Sequence, residues 1–310
     1  MVFVCQIIVD KPNEDGVHHA GGIVSGVVKY AMDQPTEFED ITLSFKGESW
    51  CSWVTDDACT TYLGTENHVL QAMSLLNQKD DSVQILPAGS YEDKFLFTLP
   101  KTIPPSFSGQ NGNVTYRITL EVRRIGKFNV LRRFVEAEVI VHNYLDPLIP
   151  DIPIAIRATK RLLKLSTGKQ KMSLKAEIPK PYIKPGEKVE LKLMITNESI
   201  VRIKGIRAEL ISTIIYTSNC GSKTIETHKI KDCTTETAKV PSRHTTSVNI
   251  SVPILEEHRS VQYSKVISSE YKILVTVRLP MPYCNITTVV PILIGEKETA
   301  PVKLMRIQEC

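Results

Sequence analysis

What most constrains the fold of this chain is a recurring short run in which apolar residues fall at every second position. The clearest pair lies within Leu86–Arg124. Tyr91, Asp93, Phe95, Phe97 and Leu99 share one parity, and Val114, Tyr116, Ile118, Leu120 and Val122 share one parity of the next run. Alternation of period two buries one face of a strand and leaves the other wet, a pattern that no helix reproduces. Between the runs lie Pro100, Pro104, Pro105, Gly109 and Gly112, the composition of a connecting loop.

The same grammar extends in both directions. Residues 2–9 are apolar on both parities, as in a strand buried on both faces or an edge strand tucked under a neighbour. Further strands are predicted over Ile23–Tyr30, over Ile41–Lys46 with an end at Gly47, and over Val130–Val141. Over His68–Asn77 strand and short helix compete. About seven short strands and no long helix indicate an antiparallel β-sandwich. The segment Asp146–Pro153, with three prolines, fits neither a helix nor a central strand, and the domain boundary is placed there. Beyond it Val189, Leu191, Leu193 and Ile195 alternate again, as do Ile206, Ala208 and Leu210, then Val248, Ile250 and Val252, and finally the run Tyr271–Leu279. The expected organisation is a sandwich over residues 1–147, a basic linker over 148–172, a second sandwich over 173–298, and a short tail over 299–310.

Charge is uneven along the chain. The formal net charge is only +4, yet Arg157–Lys175 holds seven cations and no acid. Arg157, Lys160, Arg161 and Lys164 stand there at near-helical spacing. A second cluster, Arg123, Arg124, Arg132 and Arg133, flanks a turn at Gly126. Arginine pairs carboxylate and phosphate through a planar fork, so these eight residues are the candidate sites for an anionic partner. The alternative is a solvated linker in the first case and a solubilising turn in the second.

Seven cysteines (Cys5, Cys51, Cys59, Cys220, Cys233, Cys284 and Cys310) form an odd set without CxxC spacing, which disfavours both a disulfide framework and a zinc site. The amino terminus lacks the basic region and cleavage site of a signal peptide, and no run of about 18 apolar residues occurs. The expectation is a soluble or peripheral protein with free thiols. Phosphate loops, GxSxG elbows and HExxH helices are missing, so catalysis, cofactor, metal and nucleic acid are not expected.

With the strands placed, several stretches resemble the arrestin clan, in particular the α-arrestins, or arrestin-domain-containing proteins, which include the thioredoxin-interacting protein. In the first half these are Gly26–Tyr30 (GVVKY), Ile41–Gly47 (ITLSFKG), Leu86–Gly89 (LPAG), Phe95–Pro100 (FLFTLP) and Pro105–Arg124. In the second half they are Tyr182–Glu187 (YIKPGE), Ile195–Ser199 (ITNES), Lys204–Leu210 (KGIRAEL), Glu270–Leu279 (EYKILVTVRL) and Val290–Gly295 (VPILIG).

The resemblance implies an all-β fold of two tandem antiparallel immunoglobulin-like sandwiches, arrestin N and C domains, joined by a short extended linker. It also implies a non-enzymatic adaptor in the cytoplasm, peripheral to plasma membrane and endosomes, that binds cytosolic tails of receptors or transporters and directs endocytosis, sorting or ubiquitin-dependent trafficking. Anionic lipid is a further candidate partner. Family members recruit WW-domain ubiquitin ligases through Pro-Pro-x-Tyr motifs; here Pro104–Pro105 is followed by Ser106–Phe107 and no such motif occurs. Thioredoxin binding in the family uses a cysteine at the position matching Ser199, and serine forms no mixed disulfide. Two other readings stay open: a structural subunit of a retromer-like endosomal coat, and a redox or metabolic regulator acting through a thiol.

Overall fold

A computed structural model describes residues 2–55, 60–76, 83–125, 130–162, 170–237 and 243–298. Before the proline-rich segment come β1 (Phe3–Val9), β2 (His18–His19), β3 (Ile23–Met32), β4 (Thr36–Val54), β5 (Thr61–Ser74) and β6 (Gln84–Leu86). They are followed by β7 (Gly89–Thr98), β8 (Phe107–Ser108), β9 (Gly112–Ile125), β10 (Val130–Val139) and β11 (Val141–His142). After it come β12 (Ile154–Leu162), β13 (Gln170–Ile178), β14 (Tyr182–Ile183), β15 (Lys188–Asn197) and β16 (Gly205–Thr217). The last four are β17 (Lys223–Glu236), β18 (Thr245–Pro253), β19 (Ile267–Arg278) and β20 (Ile286–Ile294).

The chain divides into two compact units. The first is Met1–Asn143 with Thr213–Thr227 and Val261–Ser269; the second is the remainder. In the first unit a three-stranded sheet, β1-β3-β7, and a larger sheet ordered β10-β9-β4-β5 enclose one apolar core. Phe95, Phe97 and Leu99 of one alternating run and Val114 through Val122 of the other are buried in it. The two runs lie in different sheets, so the loop between them carries the chain across the sandwich. Pro104 is buried in that loop, and its carbonyl accepts the Tyr116 hydroxyl at 2.6 Å.

One expectation for this unit is corrected and one open alternative is decided. Strand β4 does not end at Gly47 but runs on to Val54. A Cβ on Gly47 would overlap the Tyr116 ring and lie 2.7 Å from Val69, so the glycine admits neighbouring side chains and does not stop the strand. The stretch from His68 to Ser74 is strand, with Val69–Ser74 paired to Thr42–Gly47, because a cross-strand partner outweighs helix-forming composition.

Two β-bulges interrupt β4 pairing, and at each the register passes over one residue. Glu39 is passed over between the pairs Phe38–Arg124 and Asp40–Arg123. His68 is passed over between Gly47–Val69 and Glu48–Asn67. The His68 ring meets the buried Ser49 hydroxyl at 2.6 Å. Ser264, from the 261–269 segment of the same unit, donates to Ser49 at 3.1 Å and to Glu66 at 3.2 Å, and the Lys265 amide donates to Glu66 at 2.7 Å. Burial lowers the His68 pKa, against a smaller opposing pull from Glu66.

In the second unit the sheet β12-β13-β15-β18 packs its inner residues, among them Met172, Leu174, Leu191 and Leu193, into a separate core with Ile273 and Val275. Ile154–Leu162, inside the stretch expected as a basic linker, is the edge strand of this sheet. The tail over 299–310 lies outside the described residues.

Candidate anion-binding surfaces

In the first unit β10 pairs antiparallel with β9, which sets Arg132 opposite Arg123 and Arg133 opposite Val122. This register divides the four arginines between two faces. Arg123 lies on the face away from the core, where its Nη2 donates to Glu39 Oε1 at 2.6 Å. The counter-ion is thus the residue that the bulge has turned out of register. Arg133, on the other face, donates from Nη1 to the Phe3 carbonyl at 2.7 Å and stands over the Phe3 ring at 6.0 Å. Arg124, Arg132 and Arg133 line a cleft of 530 Å³ with Phe3, Val122 and Leu131. Arg132 forms no ion pair among the described residues. Gly126 lies outside them.

In the second unit the near-helical spacing gives way to a strand, which separates the predicted residues by parity. Arg157 and Arg161 project from the exposed face of β12. Lys160 turns the other way and donates to the carbonyls of Cys284 at 2.9 Å and Asn285 at 3.0 Å, a structural clamp. Lys164 lies outside the described residues. The β12–β13 register brings in cations that the helical grouping left out, with Arg157 opposite Lys175 and Arg161 opposite Lys171. Reading Arg157–Lys175 at period two puts these four cations on one parity, but only the register pairs them.

Like charges directly opposite one another destabilise a sheet, so each pair needs a counter-ion or a reason. Lys175 has one, donating to Glu177 at 2.8 Å and holding that carboxyl below its usual range. Arg161 and Lys171 have no carboxylate partner among the described residues.

The thiols differ by environment. Cys51 and Cys233 are buried, and burial raises their pKa values; Cys5 is raised for the same reason. Cys220 is exposed, and hydrogen bonding with Ser218 and then with Ser222 lowers it to about 7. Cys59 and Cys310 lie outside the described residues. Ser199 is fully buried, donating to Asn197 at 2.7 Å and accepting from the Val201 amide at 3.1 Å. Among the described residues no group of three metal-ligating side chains occurs, and no helix is long and apolar enough to cross a membrane.

The family comparisons match both halves of the chain. The Arrestin (or S-antigen), N-terminal domain family matches residues 5–144, and the Arrestin (or S-antigen), C-terminal domain family matches residues 168–299. The chain belongs to the arrestin clan. Its relatives place this arrestin chain among the α-arrestins. It is 22% identical over 208 residues to Arrestin domain-containing protein 17 of Caenorhabditis elegans, covering 63% of the chain and 48% of the relative. It is 21% identical over 305 residues to Arrestin domain-containing protein 5 of Bos taurus, covering 91% and 88%. It is 26% identical over 210 residues to Arrestin domain-containing protein 1 of Homo sapiens, covering 64% and 45%. The matches thus span about half the length of the nematode and human relatives. The twin-sandwich arrestin fold expected from the sequence is the fold observed.

Proposed function

We propose that this α-arrestin is a non-enzymatic adaptor on the cytosolic side of membranes, that it binds anionic tails of receptors or transporters, and that it directs their sorting. Arrestin-clan membership supports the adaptor class. The observation that carries the binding site is the arginine-lined cleft between β10 and the start of β1. Phe3 forms an apolar wall there, and Arg124 and Arg133, which share the Val122 face, carry guanidinium forks suited to phosphate or carboxylate. Such a site favours a tail bearing phosphoryl groups beside an apolar residue.

Fluorescence anisotropy of the full chain with a labelled, doubly phosphorylated peptide and its unphosphorylated twin tests this reading. The phosphorylated peptide is expected to bind at least tenfold more tightly, and Arg124→Gln with Arg133→Gln to remove that preference. Equal binding of the two peptides, or a preference that survives both substitutions, overturns the site.

A further inference from the structure

The sheet β12-β13-β15-β18 presents an exposed outer face whose register aligns like with like. Thr159 faces Ser173, Ser173 faces Thr196, and Thr196 faces Thr245, so one row of hydroxyl residues crosses all four strands. On one side of that row lies the pair Arg161–Lys171. On the other lies Arg157–Lys175, and Lys192 stands opposite Glu177 one row further on. Two residues along a strand span about 6.6 Å, so the two cationic pairs stand about 13 Å apart with hydroxyls midway. The carboxylates in these rows are Glu177, which Lys175 already holds, and Glu198, just past the end of β15, whose amide donates to the Lys171 carbonyl at 3.0 Å but whose carboxylate forms no ion pair with Lys171.

The geometry points to this face as a docking surface for an anionic lipid bilayer. Charge complementarity selects the occupant. Five cations spread over three strands of one open face meet a plane of headgroup phosphates together, whereas a single tail would run along one or two of them. Guanidinium, ammonium and hydroxyl groups are all donors to phosphate oxygen. The uncompensated Arg161–Lys171 pair costs the free protein stability, and the membrane supplies the missing counter-charge. The inference is independent of tail capture by the first unit, because it concerns other residues and a readout on lipid alone.

The test is co-sedimentation of the full chain with vesicles of phosphatidylcholine alone and with vesicles carrying added phosphatidylserine or phosphatidylinositol bisphosphate. The native chain is expected on the anionic vesicles, and binding is expected to weaken with salt. Each charge near a membrane contributes roughly fivefold, so Arg157→Gln, Arg161→Gln and Lys171→Gln together are expected to weaken binding about a hundredfold. Lys11→Gln, Lys94→Gln and Lys223→Gln, which remove the same charge from elsewhere, are expected to have a far smaller effect. Thermal unfolding of the first triple variant should be unchanged or raised, since a like-charge pair has been relieved. Native binding that is equal on neutral and anionic vesicles overturns the inference, as does an equal loss in the control triple. Binding of a phosphorylated peptide that requires Arg157, Arg161 and Lys171, with no binding to vesicles, overturns it in favour of a peptide site.

Discussion

Each unit sets cation against cation across antiparallel strands, Arg123 against Arg132 in the first and Arg161 against Lys171 in the second. In the first unit a β-bulge passes Glu39 over in the β4–β9 register and delivers its carboxylate to Arg123. In the second no carboxylate reaches the pair among the described residues. Two clusters that look alike as strings of basic letters are therefore different physical objects. One is partly neutralised from within and ordered against an aromatic wall. The other carries its charge with no ion pair among the described residues. A run of cations identifies a candidate surface; cross-strand register and counter-ions decide whether it is already satisfied.

The largest test of this contrast is Phe3→Ala. Phe3 packs at 5.8 Å from Phe38 and 6.4 Å from Tyr30 as well as beneath Arg133. A fully buried Phe→Ala change costs about 3–5 kcal/mol, and this ring is half-buried, so a loss of about 2 kcal/mol is expected in urea unfolding. Among the described residues no aromatic ring packs against Arg157, Arg161 or Lys171 of the second unit. An unchanged urea midpoint would show that the first cluster is as loosely held as the second.

Charge changes should act with opposite signs in the two units. Glu39→Gln leaves Arg123 facing Arg132 without its anion, and a loss of about 1 kcal/mol is expected for this partly exposed pair. Lys171→Glu turns the opposing pair into an attractive one, and a gain of about 0.5 kcal/mol is expected. Stability changes of the same sign would dissolve the distinction.

The smallest effect is on pH dependence. Burial lowers His68 and His18 in the first unit and His258 in the second, so the unfolded chain binds protons more readily at these sites. Stability that is fully present above pH 6.5, the ordinary histidine value, is therefore lost as pH falls below it through the folded-state values. In thermal melts taken from pH 7.5 to 5.5, His68→Gln should flatten this fall without changing the order of the charge variants. A wild-type slope retained in His68→Gln would remove that histidine from the account.

Strand parity carried most of the fold, because burial of Phe95, Phe97, Tyr116 and Ile118 follows directly from alternation. Gly47 misled, since its meaning depends on Tyr116, 69 residues away in sequence. The site was only half legible for a related reason. Lys160 and Arg161 are neighbours in sequence but lie on opposite faces, and Lys171 joins Arg161 only through the β12–β13 register. Glu39 and His68 gave no signal at all, because a bulge is a property of paired strands and neither strand specifies it alone.

The contact between Arg133 and Phe3 has a consequence for self-association. Strand β1 lies at the border of its three-stranded sheet, where unsatisfied main-chain groups can template another chain. Arg133 occupies the Phe3 carbonyl and sets a charged, bulky group beside that border. It therefore satisfies one main-chain acceptor of that border and leaves one group fewer for another strand to pair with.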